Sequence, residues 1–340
     1  MKTFYVADAA TRADDPKQRE IHSAFLVFSK QLKPKRSGGE YLAVVLCDRT
    51  GQIEAKMWDN IGQYVNLFEA DDVVSVKGYV NRYNGRPQII LQTLARLQPE
   101  AVDFGDFLPK TDKDIDQLWG RLSEFVASIG DRHLRTLLQE FMNDSSFTAA
   151  FRSAPAAKAL HHAYIGGLLD HVVSLMTLCD LACRNYPQVN RDLLFAGAFL
   201  HDIGKIHELY YARSFGYTTR GQLLGHMIIE LEMLQQKIAC VPEFPPELKV
   251  LLEHLIISHH GEYEFGSPKL PMFPEALMLH YLDDLDSKME SMRAQLQREA
   301  AASGPWTGFN PSLGRPLLNS RKFLAATEKE DAQADAASAE

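Results

Sequence analysis

One change of period, close to residue 100, restricts this chain more than any other feature. Before it, apolar residues fall in short runs rich in Val, Ile, Leu and aromatics. From Asp114 to about Arg298 they recur at spacings of three and four, as in Ile115, Leu118, Trp119, Leu122, Phe125, Val126 and Ile129 before Gly130. The two periods belong to strand and helix respectively and do not interchange. A β unit followed by an α unit is therefore expected, and 340 residues is a length for two domains.

Five runs read as strands: His22 to Gln31, Tyr41 to Asp48, Gln52 to Trp58, Asp72 to Asn81 and Gln88 to Leu97. Asp48 to Gly51 joins the second to the third. Asn84-Gly85 is a strong hairpin signal, because a type I′ turn needs positive φ at both positions. The apolar segment Ile61 to Phe68 is expected to be a helix between strands three and four. Five strands with a helix after the third is the order of an oligonucleotide-binding (OB) barrel, so residues 1–98 are read as a five-stranded OB-fold β-barrel. Pro99, Gly105 and Pro109 mark a linker over 99–118. Residues 119–315 are read as an all-α bundle; at least seven helices are expected between Asp114 and Arg298. Residues 316–340 are read as an acidic, Ala-rich and largely disordered tail.

Charge divides along the same line. The chain carries 36 Lys+Arg against 44 Asp+Glu, a net −8, yet residues 1–98 hold 14 against 11 and are mildly basic. A local basic face is what nucleic-acid binding needs, whatever the total. No apolar run approaches the roughly 18–20 residues of a bilayer span, so no membrane is expected as a partner. The first residues lack the apolar core of a secretory signal, and Cys47, Cys179, Cys183 and Cys240 show neither metal-knuckle nor disulfide-framework spacing. A soluble protein of a reducing cytoplasm is expected.

Ten of the twelve histidines fall between His161 and His280. Leu193 to Leu200 is an apolar helix with His201-Asp202 at its end. An imidazole and a carboxylate at the edge of a buried helix are costly to leave unpaired, and a metal ion satisfies both. His171, on another apolar helix, can face that pair. The stripe Ala276 to Leu282 runs into Asp283-Asp284-Leu285-Asp286, which supplies a carboxylate from a third direction. Asp283 is the expected ligand, with Asp284 and Asp286 as alternatives.

The order His171, His201-Asp202, Asp283 on a helical scaffold, with Lys205 completing His-Asp-x-x-Lys, resembles the HD phosphohydrolase superfamily. His226 and the pair His259-His260 resemble the further histidines of HD enzymes that hold two metals. The likeness extends to Pro155-Ala156-Ala157-Lys158, to His161 through His171, to Ser258 through Pro268 and to Glu275 through Tyr281, which resemble the YhaM-type 3′-to-5′ exoribonucleases. An OB domain ahead of an HD domain is that family's architecture, and the resemblance covers roughly residues 1–315. Asp170 stands where the family often has Glu.

The resemblance implies a hydrolase that removes nucleoside 5′-monophosphates from the 3′ end of single-stranded RNA. One or two divalent ions per chain are implied, Mn²⁺ foremost and Co²⁺ or another transition metal as alternatives. Such an ion acidifies bound water and polarises a phosphoryl oxygen. Lys205 can reach a non-bridging phosphate oxygen or simply cap its helix. Asp202 is read as both ligand and catalytic group, and His161 and His162 as contacts to phosphate or helpers of the leaving oxygen.

Strand delivery falls to the barrel, through stacking on aromatics within a basic groove. The candidates are Phe28, Tyr41, Trp58, Tyr79 and Tyr83, interleaved with Lys30, Lys33, Lys35, Arg36, Lys56, Lys77, Arg82 and Arg86. Alternation puts Trp58 on the same face as Lys56, and Phe25 and Val27 opposite Phe28 if that strand is regular. Two other functions are consistent with the motifs: an HD phosphohydrolase of nucleotides or cyclic dinucleotides, and a non-catalytic single-stranded nucleic-acid-binding factor. Single-stranded DNA stays open as a substrate because no residue identified here reads the 2′-hydroxyl. The apolar helices leave room for a homo-oligomer.

Overall fold

Alternation builds the first unit. The computed structural model describes residues 2–35, 37–158, 162–211, 215–300 and 304–325. Five strands, β1 (Glu20–Pro34), β2 (Glu40–Asp48), β3 (Gly51–Met57), β4 (Val73–Tyr83) and β5 (Arg86–Arg96), form a closed barrel in the order β1-β2-β3-β5-β4. Antiparallel pairs such as Leu42↔Met57 and Ala24↔Ser75 set the register, while Glu54 to Lys56 pair in parallel with Gln88 to Ile90. Phe25, Leu42, Leu46, Met57, Val76, Val80 and Ile89 fill the interior. Asn84 and Gly85 take φ of 49° and 77°, as the hairpin between β4 and β5 requires.

Phe25 and Val27 are buried and Phe28, 58% exposed, lies opposite them as expected, although Leu26 is buried too and a bulge between Val27 and Ser29 interrupts the strand. Two local expectations change. Between β3 and β4 there is one short 3-10 turn, Ile61–Gln63, in place of a helix. Phe68 of that segment lies in the barrel core, so its apolar character serves packing. Much of the expected linker also belongs to this unit, which runs through residue 112. Phe107 and Leu108 are buried, and the Arg49 N–H donates to the Asp106 carbonyl. A short helix, α1 (Ala9–Asp14), precedes β1.

The second unit is helical: α2 (Ile115–Ala127), α3 (Arg132–Met142), α4 (Ser145–Ser153), α5 (Gly167–Asn185), α6 (Arg191–Leu200), α7 (Lys205–Glu208), α8 (Thr219–Ile238), α9 (Pro246–Ser258) and α10 (Pro274–Arg298). Helix α2 begins inside the stretch expected to be linker. Asp114, Asp131 and Asp144 each accept two backbone N–H bonds as N-caps, which fixes where α2, α3 and α4 start. Every residue from Leu193 to Leu200 is buried, and Phe195 and Phe199 join Phe125, Phe141, Phe147 and Phe151 in an aromatic core. After α10, strands β6 (Trp306–Asn310) and β7 (Arg315–Leu318) pair as a hairpin. Residues 316–318 are thus strand and not tail, held by the buried Leu317; residues 326–340 lie outside the described residues. No described helix is long and apolar enough to cross a membrane. The four cysteines are free thiols.

Candidate metal centre and nucleic-acid surface

Where α6 ends, a tight turn carries His201 and Asp202 into the interior of the helical unit. Gly204 makes this possible. A Cβ there would lie 2.4 Å from the His226 carbonyl oxygen, so α8 can approach the turn only over a glycine. Helix α5 brings His171 to the same place and α10 brings Asp283. His171 Nε2 lies 3.2 Å from His201 Nε2, 3.2 Å from Asp283 Oδ1 and 3.7 Å from Asp202 Oδ2. The other oxygen, Asp202 Oδ1, is 3.7 Å from His226 Nε2 and 4.0 Å from His259 Nε2. Donor atoms of His226, His259 and His260 fall within 4.8 Å of one another. Asp202 therefore stands between two groups, and all the histidines and aspartates singled out as ligands meet there.

The orientation of the rings is informative. Each imidazole turns Nδ1 to an oxygen: Asp286 Oδ2 for His171 at 2.8 Å, the Ala198 carbonyl for His201 at 3.0 Å, Glu208 Oε1 for His226 at 3.2 Å, the Ile256 carbonyl for His259 at 2.6 Å and the Phe265 carbonyl for His260 at 2.9 Å. A proton on Nδ1 serves each contact and leaves the Nε2 lone pair free. His171 and His201 then turn Nε2 toward each other at 3.2 Å, close enough to share a proton or to hold a cation between them. Asp202 Oδ1, His226 Nε2 and His259 Nε2 are buried without any hydrogen-bond partner. Buried polar atoms are normally paired, and a converging set of imidazole nitrogens and carboxylate oxygens is one that could hold a divalent cation.

Electrostatics agree with the geometry. Burial keeps His201 below the ordinary histidine value and His259 well below it, so both are neutral and available as ligands. Burial also opposes charge on His171, yet the carboxylates of Asp283, Asp286 and Asp202 raise it to about 10, so its Nε2 holds a proton that a bound cation would have to displace. Asp202 is desolvated too, but Lys205 and the neighbouring histidines hold it well below the usual carboxylate range. Glu230, which also borders Asp202, goes the other way: burial and the Asp202 charge push its carboxyl well up.

On the barrel, Ser29, Gln31, Lys33, Tyr41, Ala43, Glu54 and Lys56 line a shallow cavity of about 140 Å³ on the outer face of β1, β2 and β3. Tyr41 and Trp58 stack beside it with ring centroids 4.5 Å apart, and Lys56 Nζ sits 4.9 Å from the Tyr83 ring. Trp58 is 38% and Tyr83 59% exposed. Lys35 donates to the Trp58 carbonyl. Two further expected phosphate contacts are also spent internally. Lys30 Nζ donates to the carbonyls of Val65 and Phe68 and to Glu69, which pins the β3–β4 connection. Arg82 makes a two-bond pair with Asp14 and also reaches the carbonyls of Ala10 and Gly85. Arg36 lies outside the described residues.

Comparison with known proteins matches residues 26–97 to an OB-fold nucleic acid binding domain and residues 168–288 to the HD domain. The 3′-5′ exoribonuclease YhaM of Bacillus velezensis is 35% identical over 82% of this chain and 88% of its own length. That of Bacillus subtilis is 36% identical over 81% and 87%. The chain belongs to the YhaM family. Among solved structures, a single-stranded DNA binding protein from Thermus aquaticus covers 25% of this chain and 43% of its own at 11% identity and a TM-score of 0.23, too slight a likeness to argue from.

Within this YhaM-family chain, two expected contacts with substrate prove to be internal. Lys205 Nζ is half-buried and bound to Asp202 Oδ2 at 2.6 Å, so it orients that carboxylate instead of projecting from the helix end. His162 is buried with both nitrogens occupied, Nε2 by Asp286 Oδ2 at 3.1 Å and Nδ1 by the Tyr164 hydroxyl at 2.8 Å. It supports Asp286, which supports His171. His161 lies outside the described residues. Asp284 pairs with Lys288 at 2.7 Å, away from the ligands. His280 donates Nδ1–H to the His259 carbonyl at 3.0 Å, and its ring occupies the space a Cβ on Gly261 (φ +77°) would need. Asp286, expected as an alternative ligand to Asp283, stands instead behind His171, and no expectation attached to Glu208 or Glu230. Asp286 lies three residues after Asp283 and Glu230 four after His226, the helical spacings that share a face; nothing local marks Glu208.

Proposed function

We propose that this chain is a metal-dependent 3′-5′ exoribonuclease acting on single-stranded RNA, with cations bound by His171, His201, Asp202, His226, His259, His260 and Asp283. The observation that carries this reading is the convergence on Asp202 of buried donor atoms that have no other partner, in a chain whose curated relatives bear that name. Bound there, divalent ions, Mn²⁺ in this reading, would supply an acidified water and polarise the phosphoryl oxygen. Asp202 holds its two oxygens toward the two groups, fixed by Lys205. Asp286 and Glu208 hold the rings of His171 and His226. Water oxygen bonds to the last phosphorus, the bond from phosphorus to the preceding 3′-oxygen breaks, and a nucleoside 5′-monophosphate leaves behind a new 3′-hydroxyl.

Tyr41, Trp58, Tyr83 and Phe28 present stacking surfaces for bases, and Lys33, Lys35 and Lys56 offset phosphate charge. This makes the barrel unit the strand-guiding domain and the helical unit the hydrolytic one. The free thiols fit a reducing cytoplasm. Leu277, Tyr281, Leu285 and Met289, exposed at four-residue spacing along α10, are the surface on which a homo-oligomer would form.

A time course on 5′-labelled single-stranded RNA with Mn²⁺, run beside a chelator control, the His201→Ala variant and a matched DNA strand, tests the reading. A chelator-sensitive ladder shortening from the 3′ end and absent in the variant is expected. Intact RNA with every metal tried, in protein shown to have bound that metal, would transfer the assignment to a nucleotide hydrolase or a binding factor.

A further inference from the structure

Glu230 sits on α8 four residues after His226 and is 0% exposed. Its Oε1 accepts the N–H of Gly204 at 3.2 Å, but Oε2 is buried with no partner. The carboxylate lies within 4.8 Å of donor atoms of both Asp202 and His226. The Gly204 contact alone does not account for an acid here, since the amide oxygen of glutamine would accept the same bond without a buried charge. Nor does Lys205 account for it, because that ammonium is bound to Asp202 Oδ2, whereas the oxygen without a partner is Oδ1. Two carboxylates buried side by side repel one another, and a cation between them turns that repulsion into attraction.

We infer that Glu230 belongs to the site of the ion held by His226, His259, His260 and Asp202 Oδ1, its Oε2 contacting that ion or a water bound to it. This rests on the two-ion reading above. Through Oε1 and Gly204 the same side chain ties the ion to the turn that carries His201 and Asp202, so occupancy of one group stiffens the backbone of the other. The competing account is a space-filling, protonated acid whose only task is the Gly204 bond.

The test is titration of Mn²⁺ into chelator-stripped full-length protein, wild type beside Glu230→Gln, followed by calorimetry and by the rise in Tm on metal addition. Wild type is expected to take two ions. The variant should keep one at wild-type affinity and bind the other at least about tenfold more weakly, with a smaller rise in Tm. Two ions at wild-type affinity in a folded variant would overturn the inference while leaving the two-ion reading intact. A single ion in the wild type sinks that reading and this inference with it. Should the variant not fold, anomalous scattering from Mn²⁺-soaked wild-type crystals decides: an ion within direct or one-water reach of Glu230 Oε2 is expected, and none within that reach overturns the assignment.

Discussion

The metal centre and the outer face of the barrel solve opposite problems. At the centre, the rings are fixed from behind before anything binds: Nδ1 of each of the five histidines is already committed, while Asp202 Oδ1, His226 Nε2 and His259 Nε2 are buried without a partner. On the barrel the rings are exposed, and the basic residues divide between those near the surface cavity, such as Lys33 and Lys56, and those tied to the fold, such as Lys30 and Arg82. A rigid, low-dielectric constellation suits an ion with fixed coordination, while an exposed stacking surface suits a strand that must slide. Single substitutions should therefore act as switches in one region and as graded changes in the other.

The largest effect tests the switch. Asp202→Ala removes the one side chain common to both ligand groups and should lower the hydrolysis rate about 10³-fold or more, several kcal/mol of lost stabilisation. Circular dichroism of the chelated variant should match the wild type. Retention of more than a tenth of the rate would break the comparison. Next, Asp286→Ala touches no ligand atom on the inward side, yet it frees the His171 ring to turn. A 10–100-fold loss of metal affinity or rate is expected from removing such a partner, measured by titration with a coloured competing chelator.

On the barrel, Trp58→Ala should weaken binding of long single-stranded RNA by about 1–3 kcal/mol, the value of one stacked base, with kcat on a dinucleotide unchanged. Lys33→Met and Lys56→Met should each reduce the slope of log affinity against log salt by about 0.7. Lys30→Met should leave that slope alone and lower Tm instead. Equal salt slopes for all three lysine variants would erase the division drawn between surface and structural cations. The smallest effect concerns the scaffold of the metal centre. Asp144 caps α4 and pairs with Lys237 at 2.9 Å, and those hydrogen bonds hold its carboxyl below the ordinary value. A depressed folded value means that the stabilisation is present above the unfolded value of about 3.9 and disappears as pH falls through the folded one. Asp144→Asn should thus lower stability at pH 7 by at most about 1 kcal/mol, and the difference from wild type should shrink in acid, as read by denaturant melts across pH.

Much of this was legible in the chain because two periods are local properties. Alternation placed five strands, a turn dipeptide fixed the Asn84-Gly85 hairpin, and spacings of three and four placed the helices. The bulge at Val27 and Ser29 was not legible, because it is set by pairing with Leu46 and Val45 on the neighbouring strand. The segment 99–112 looked like linker for the same reason: Phe107 and Leu108 have a core to enter only once the barrel exists.

At the centre, residue type and the ends of buried helices pointed to His171, His201, Asp202 and Asp283, since such groups are costly there without a partner, and the resemblance to HD enzymes added His226, His259 and His260. What the sequence by itself determined, then, is the two-part architecture and the identity of the inward-facing donors. Tertiary structure decided what stands behind them. Lys205 reaches Asp202 from three residues away, but Asp286 behind His171, Glu208 behind His226 and Glu230 beside Asp202 join segments as much as 115 residues apart. Such long-range pairs carry no period, and only the packing of one element against another brings their atoms together.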